Sequence, residues 1–133
     1  MLVDSVHLEF GNLTVLQSAF VTSERGKVTG VLGRNGTGKS CLFKCIMGGI
    51  KPQNIFVRFN DEQSTDYGHI GDRVKYLPQN LFMPPRMTLD EAFRLYDVEY
   101  DGLVSFDPKF HTFQKKQFRE LSGGEARVAE MFI

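Results

Sequence analysis

The stretch Gly33-Arg34-Asn35-Gly36-Thr37-Gly38-Lys39-Ser40 satisfies G-x-x-x-x-G-K-[S/T] without a mismatch. No other feature of the chain restricts its fold so closely, because this pattern works as the turn between a strand and a helix. Both flanks agree with that setting. Lys27-Val28-Thr29-Gly30-Val31-Leu32 predicts a short buried strand ahead of the loop, and Ser40 to Met47 predicts a helix behind it, stopped by Gly48-Gly49.

The residue types indicate what such a loop does. Gly33, Gly36 and Gly38 let the backbone adopt conformations that a side chain would block, so successive N–H groups can converge on one anion. The helix beginning here adds unsatisfied N–H groups and the positive end of its dipole. Lys39 brings an ammonium to the terminal phosphates, a charge-assisted hydrogen bond of roughly 1.5–3 kcal/mol. The Ser40 hydroxyl is placed to take one coordination position on Mg2+. The plainer reading is a glycine-rich helix cap with no ligand, which the full pattern in its strand–loop–helix setting disfavours. The nucleotide-binding set is therefore Gly33, Asn35, Gly36, Thr37, Gly38, Lys39, Ser40 and Cys41, with a phosphorylated nucleotide and Mg2+ as the expected ligands.

A chain of 133 residues suffices for one domain with a core and is short for two. Its 16 basic and 16 acidic residues cancel, so no global field favours nucleic acid or an anionic bilayer, and no nucleic-acid partner is expected. No stretch approaches the ~20 apolar residues of a membrane span. Met1-Leu2-Val3-Asp4 lacks the charged and apolar regions of a signal peptide, so a cytosolic address is expected. Cys41 and Cys45 sit one turn apart in the predicted helix without further Cys or His nearby, which points to core packing and not to a metal site.

Ahead of the loop, Val6 to Phe10 alternates apolar and polar, Gly11-Asn12 reads as a turn, and Thr14-Val15-Leu16 and Ala19-Phe20-Val21 continue the alternation up to a second turn at Glu24 to Lys27. A small antiparallel β unit is expected there. Phe10 ends its first strand as a candidate for stacking on a purine, though core packing suits the residue equally well. After the first helix, Ile55 to Phe59 predicts a strand and Asn60-Asp61-Glu62 a solvated turn. Asp66 to Asp72 predicts a polar loop, and Val74 to Leu77 a strand running into Pro78-Gln79-Asn80. Thr88-Leu89-Asp90-Glu91 fits a capping box opening a helix through Tyr96, and Asp107-Pro108 predicts a further helix carrying His111, Phe113 and Phe118, with Lys115 and Lys116 on a solvated face. Ser122 and Glu125 form another capping box at the head of a last helix from Ala126 to Ile133, where Gly123 and Gly124 expose backbone N–H groups to a second anion.

With these residues in hand, the sequence resembles the ATP-binding cassette (ABC) family. Gly33 to Ser40 is similar to its Walker A motif, Tyr76-Leu77-Pro78-Gln79 to its Q-loop and Leu121 to Glu125 to its signature motif. Met87 to Ala92 is similar to the opening of its helical subdomain, and Phe10 to its adenine-stacking aromatic. The resemblance runs from about Val6 to the last residue. It implies an α/β fold of the P-loop NTPase type: a RecA-like core with an N-terminal antiparallel β unit in residues 1–80, and a helical subdomain in 81–133. It implies that Gln79 contacts Mg2+ and the attacking water, with a catalytic role, and reports nucleotide state to a partner. By the same resemblance Ser122 and Gly124 bind the γ-phosphate held by a second subunit, with Gly123 in the same cofactor-binding set, in a head-to-tail dimer with ATP at two interfaces.

The resemblance also exposes a departure. In the family an apolar strand ending in Asp, a catalytic Glu and a switch His follow the signature motif, whereas this sequence ends at Ile133 and its histidines, His7, His69 and His111, all precede the motif. The chain is thus expected to be the N-terminal part of a cassette of roughly 200–250 residues, incomplete at the C-terminus, that binds ATP–Mg2+ weakly by itself and does not turn it over usefully. The implied function is the ATPase subunit of an ABC transporter, on the inner face of the cell membrane beside a separate membrane-embedded subunit. The alternatives are a soluble cassette protein acting on nucleic acid or ribosomes, and a degenerate fragment.

Overall fold

Two serines decide how the first sheet is built. In the computed structural model, which describes residues 1–59, 62–64 and 74–133, strand β1 (Leu2–Phe10) pairs antiparallel with β2 (Leu13–Thr22) across a turn at Gly11, whose φ is 60°. Strict alternation along β1 would send Val3 and Val6 to opposite faces. Ser5 (φ 55°) and Ser18 (φ 49°) sit where the pairing slips, and the bulges reset the alternation. Val3, Val6 and Leu8 consequently all reach the core, opposite Val21, Ala19 and Leu16.

The other edge of β1 pairs antiparallel with β3 (Asn54–Phe59), which pairs with β4 (Glu62–Ser64), giving the order β2-β1-β3-β4. Glu62 thus belongs to a strand, paired with Phe59, and not to the expected turn, because the free edge of β3 offers its backbone a ladder partner. Asp61, His69 and the predicted loop 66–72 lie outside the described residues. Helix α1 (Lys39–Ile46) buries Leu42, Cys45 and Ile46, spaced three and four apart, in the same core cluster as Val3, Leu8, Leu16 and Val57. It ends as predicted: Gly48 takes φ 73°, its N–H donating to the Cys45 carbonyl (3.1 Å) and that of Gly49 to Lys44 (2.8 Å). Both cysteines are free thiols, and burial, with Cys41 nearby, pushes the Cys45 thiol up.

Two expected strands do not form. Residues 27–32 are irregular, with Val28 at 101% and Leu32 at 95% relative exposure, and 74–77 are likewise without strand structure. A strand inside a parallel sheet owes its burial and its ladder bonds to neighbours on both sides. No strand among the described residues pairs with either segment, so their apolar residues face solvent despite a strand-like composition.

The chain separates into two compact units, Met1–Tyr76 and Leu77–Ile133. In the second unit, α2 (Leu89–Leu95) opens on the predicted capping box: the Thr88 N–H donates to Glu91 Oε2 (2.8 Å) and the Glu91 N–H to Thr88 Oγ1 (3.3 Å). Helix α3 (Tyr100–Phe106) was not expected from its mixed Gly and β-branched sequence. Tertiary contacts hold it: Leu103 is fully buried, and Tyr100 stacks edge-on to Phe93 while its hydroxyl donates to the Phe110 carbonyl (2.7 Å). Burial pushes that hydroxyl up to about 12. The helix expected from Pro108 through Phe118 is instead a short 3-10 turn, Pro108–Thr112, with a second at Phe118–Glu120. The carbonyls of Gln114 and Lys116 accept from the Asp90 and Leu89 N–H groups (2.9 and 3.1 Å), so that segment serves the start of α2 and is withdrawn from helix formation. Helix α4 (Gly123–Phe132) adds Ala126 and Ala129 to a core of Leu89, Phe93, Leu103 and Phe110.

Candidate functional site

The loop between residue 32 and α1 is drawn together by its own groups. Lys39 Nζ donates to the carbonyls of Gly33 (2.6 Å) and Arg34 (2.7 Å), and Thr37 Oγ1 also donates to Arg34 O (2.9 Å). Gly36 turns the loop at φ 88°. Gly38, the N-cap of α1, combines a φ of 87° with a close approach: a Cβ there would lie 2.9 Å from Leu16 Cδ2 and 3.1 Å from the Val15 carbonyl. A side chain at 38 would be strained twice over. No side chain caps α1 and no acid stands in its first turn, so the N–H groups there, including those of Lys39 and exposed Ser40, are free to meet an anion. Among the described residues no carboxylate pairs with Lys39, whose ammonium rests on neutral carbonyls that a phosphate would outcompete. The residues present therefore fit the phosphate chain of a nucleoside triphosphate. Asn35 is exposed in the turn of the loop, and Cys41 lies half-buried against the sheet core.

Phe10 is placed by the register of the first hairpin. Leu8 pairs with Leu16, which approaches Gly38, and Phe10 lies two residues further along β1, paired with Leu13, with its ring 52% exposed. Packing does not consume the ring.

In the second unit, Gln79 is exposed, and its backbone carbonyl accepts from Arg127 Nη2 (2.5 Å). Arg127 stands on α4, the helix that Ser122 caps. The Glu125 N–H donates to Ser122 Oγ (3.3 Å) and the Ser122 N–H to Glu125 Oε2 (2.8 Å). Gly123 and Gly124 are exposed, and an added Cβ at either would meet nothing within 4 Å. Nothing in the described packing of the chain asks for glycine there. Sequence reasoning missed Arg127 and Glu130. Their signal was present, because Glu130 follows Ala126 by four residues on the buried stripe of α4, where an acid calls for a partner one turn away. Among the described residues no cluster of His, Cys, Asp or Glu could hold a metal by itself.

The capping carboxyls set a pH dependence. The Ser122 backbone N–H, helped by Lys109 and Lys116, holds Glu125 below the usual range, as the Thr88 N–H does Glu91 and the Lys109 N–H does Asp107. Each carboxyl gives up its proton more readily folded than unfolded, so the unfolded chain binds protons first. Stability of the second unit is expected to be level above the ordinary carboxylate pKa of about 4 and to decline as pH falls through and below it. Urea unfolding across pH 2 to 7 checks this, and a stability that rises on acidification would contradict it.

Fold and loop define the class: a P-loop α/β domain. The chain superposes on a solved ATP-binding cassette of an ABC transporter with a TM-score of 0.73 at 20% identity, covering 98% of this chain and 62% of that one. The family model described as ABC transporter matches residues 16–132, and the chain belongs to that family. It is similar to the zinc import ATP-binding protein ZnuC of Photobacterium profundum, at 34% identity over 92% of this chain and 46% of that protein. It is equally similar to an ABC transporter ATP-binding protein of Methanocaldococcus jannaschii, at 34% identity over 92% of this chain and 54% of that one. The chain spans about half the length of the curated relatives it matches.

Proposed function

We propose that this chain is the N-terminal part of the nucleotide-binding domain of an ABC transporter, with residues 1–80 as β unit plus P-loop core and 81–133 as helical subdomain. The complete protein couples ATP binding and hydrolysis to transport through a separate membrane-embedded subunit. No helix among the described residues is long and apolar enough to cross a membrane, which suits a subunit peripheral to the cytoplasmic face.

The observation that carries the reading is the uncapped, acid-free start of α1 behind a loop whose lysine has, among the described residues, only backbone partners. Gly33, Asn35, Gly36, Thr37, Gly38, Lys39, Ser40 and Cys41 grip the phosphates through backbone amides and the Lys39 ammonium. The Ser40 hydroxyl would take one position on Mg2+; by the family resemblance Gln79 would contact the metal and orient the attacking water, and Phe10 would stack on the base. When bound, the metal neutralises charge on the transferring phosphate. Ser122, Gly123 and Gly124 close over the γ-phosphate of a second subunit, head to tail; the open space over both glycines supports that role. The 133 residues alone bind nucleotide weakly and turn it over negligibly, because a base beside the γ-phosphate is needed and Gln79 alone among these residues is assigned near it.

The test is equilibrium binding of ATP with Mg2+ to the full-length protein, together with its oligomeric state. Micromolar to millimolar affinity and ATP-dependent dimerisation are expected, with dimerisation lost in Gly124→Trp. Failure to bind ATP would remove the functional reading and leave the family membership.

A further inference from the structure

An ion pair on one face of α4 grips the chain on both sides of Asn80. Glu130 is 3% exposed, an unusual setting for a carboxylate. Its Oε1 accepts from the backbone N–H groups of Phe82 (2.7 Å) and Met83 (3.0 Å), and its Oε2 lies 3.1 Å from Arg127 Nη1. Arg127, one turn earlier, donates from Nη1 to the Pro78 carbonyl (2.7 Å) and from Nη2 to that of Gln79 (2.5 Å). Two charged side chains thus make four hydrogen bonds to the backbone of a segment that has no secondary structure of its own. Burying a carboxylate is costly unless it is paired and hydrogen-bonded. Here the pairing is directed at one stretch of main chain, and a hydrophobic residue at 130 would fill the space without fixing that stretch.

We propose that Arg127 and Glu130 are positioning residues that lock the backbone around Gln79 to the helix bearing Ser122, Gly123 and Gly124, so that a ligand closing on the start of α4 also fixes where Gln79 acts. The proposal rests on the reading of Gln79 as a nucleotide-facing residue. Because the grip is on backbone, any side chain at 79 would be held in place, and the chemistry lies with Gln79 itself. Because Phe82 and Met83 are held as well, the segment is fixed at two points and cannot pivot about Gln79.

The experiment uses the full-length protein with ATP turnover and amide exchange as readouts. Arg127→Lys keeps the charge but loses the two-pronged grip. It is expected to lower kcat about 10- to 100-fold, the scale of a misplaced catalytic group, with KM for ATP changed less than about twofold because the phosphate loop is untouched. Glu130→Gln is expected to speed exchange at the Phe82 and Met83 amides while protection within α4 persists. In a Gln79→Ala background, Arg127→Lys is expected to cost little more, since both changes remove one function. An undiminished loss in that background would overturn the proposal and leave Gln79 standing, as would an unchanged kcat in Arg127→Lys or unchanged exchange at Phe82 and Met83. If Gln79→Ala itself turns over normally, the reading of Gln79 fails and the proposal with it.

Discussion

Lys39→Ala in the full-length protein is expected to weaken ATP binding about 10- to 150-fold, which is the roughly 1.5–3 kcal/mol of a charge-assisted hydrogen bond. Turnover should fall further, because the ammonium meets more charge as the γ-phosphoryl group departs than in the bound ground state. The fold should hardly notice. Among the described residues Lys39 Nζ donates only to the carbonyls of Gly33 and Arg34, in a loop exposed at both positions. Solvent can replace those two bonds, so the melting temperature is expected to stay within a few degrees. Lys39→Arg separates charge from shape: the guanidinium keeps the charge, but its planar fork does not occupy the place of a compact ammonium. Calorimetric ATP titration and phosphate release measure both quantities. An affinity unchanged in Lys39→Ala would mean that this loop does not hold the triphosphate.

How much of this was legible beforehand depended on where each residue finds its partners. The phosphate loop, the Gly48 stop and the capping boxes at Thr88 and Ser122 were readable because their partners lie within six residues. The hairpin of β1 and β2 was readable from alternation at Val6 to Phe10, yet the bulges at Ser5 and Ser18 were not, since nothing in a serine announces a positive φ. Lys27 to Leu32 and Val74 to Leu77 have strand composition, but a strand exists only in a ladder, and no described residue supplies one. Helix α3 shows the converse: its propensity is poor and the burial of Leu103 overrides it. The sequence predicts a long helix through Phe118 because the demand of Leu89 and Asp90 for carbonyls at 116 and 114 is a contact across 24 to 27 residues, which local pattern does not carry. The Arg127–Glu130 pair was hidden for the same reason, its backbone partners lying more than 45 residues upstream.

Phe110→Ala is expected to cost about 3–5 kcal/mol, the usual range for truncating a fully buried phenylalanine. Phe110 is 0% exposed, packs edge-on to Phe113 with ring centroids 5.5 Å apart, and lends its carbonyl to the Tyr100 hydroxyl. The cavity therefore opens where α3 and the 3-10 turn Pro108–Thr112 are held together, and α3 has little propensity of its own to fall back on. A unit the size of Leu77–Ile133 carries only about 3–9 kcal/mol of stability at typical values per residue, so the loss approaches the whole. Amide exchange should become fast across α2, α3 and α4, and the Arg127 grip on Gln79 should go with it. Phe106→Ala is the control. That ring is also aromatic and also on α3, but it is mostly exposed and touches only Phe132 among the described ring pairs, so it should cost under about 1 kcal/mol. Equal losses from the two substitutions would mean that the unit is held by general hydrophobic content, and that the core around Phe110 does not anchor the helix carrying Ser122, Arg127 and Glu130.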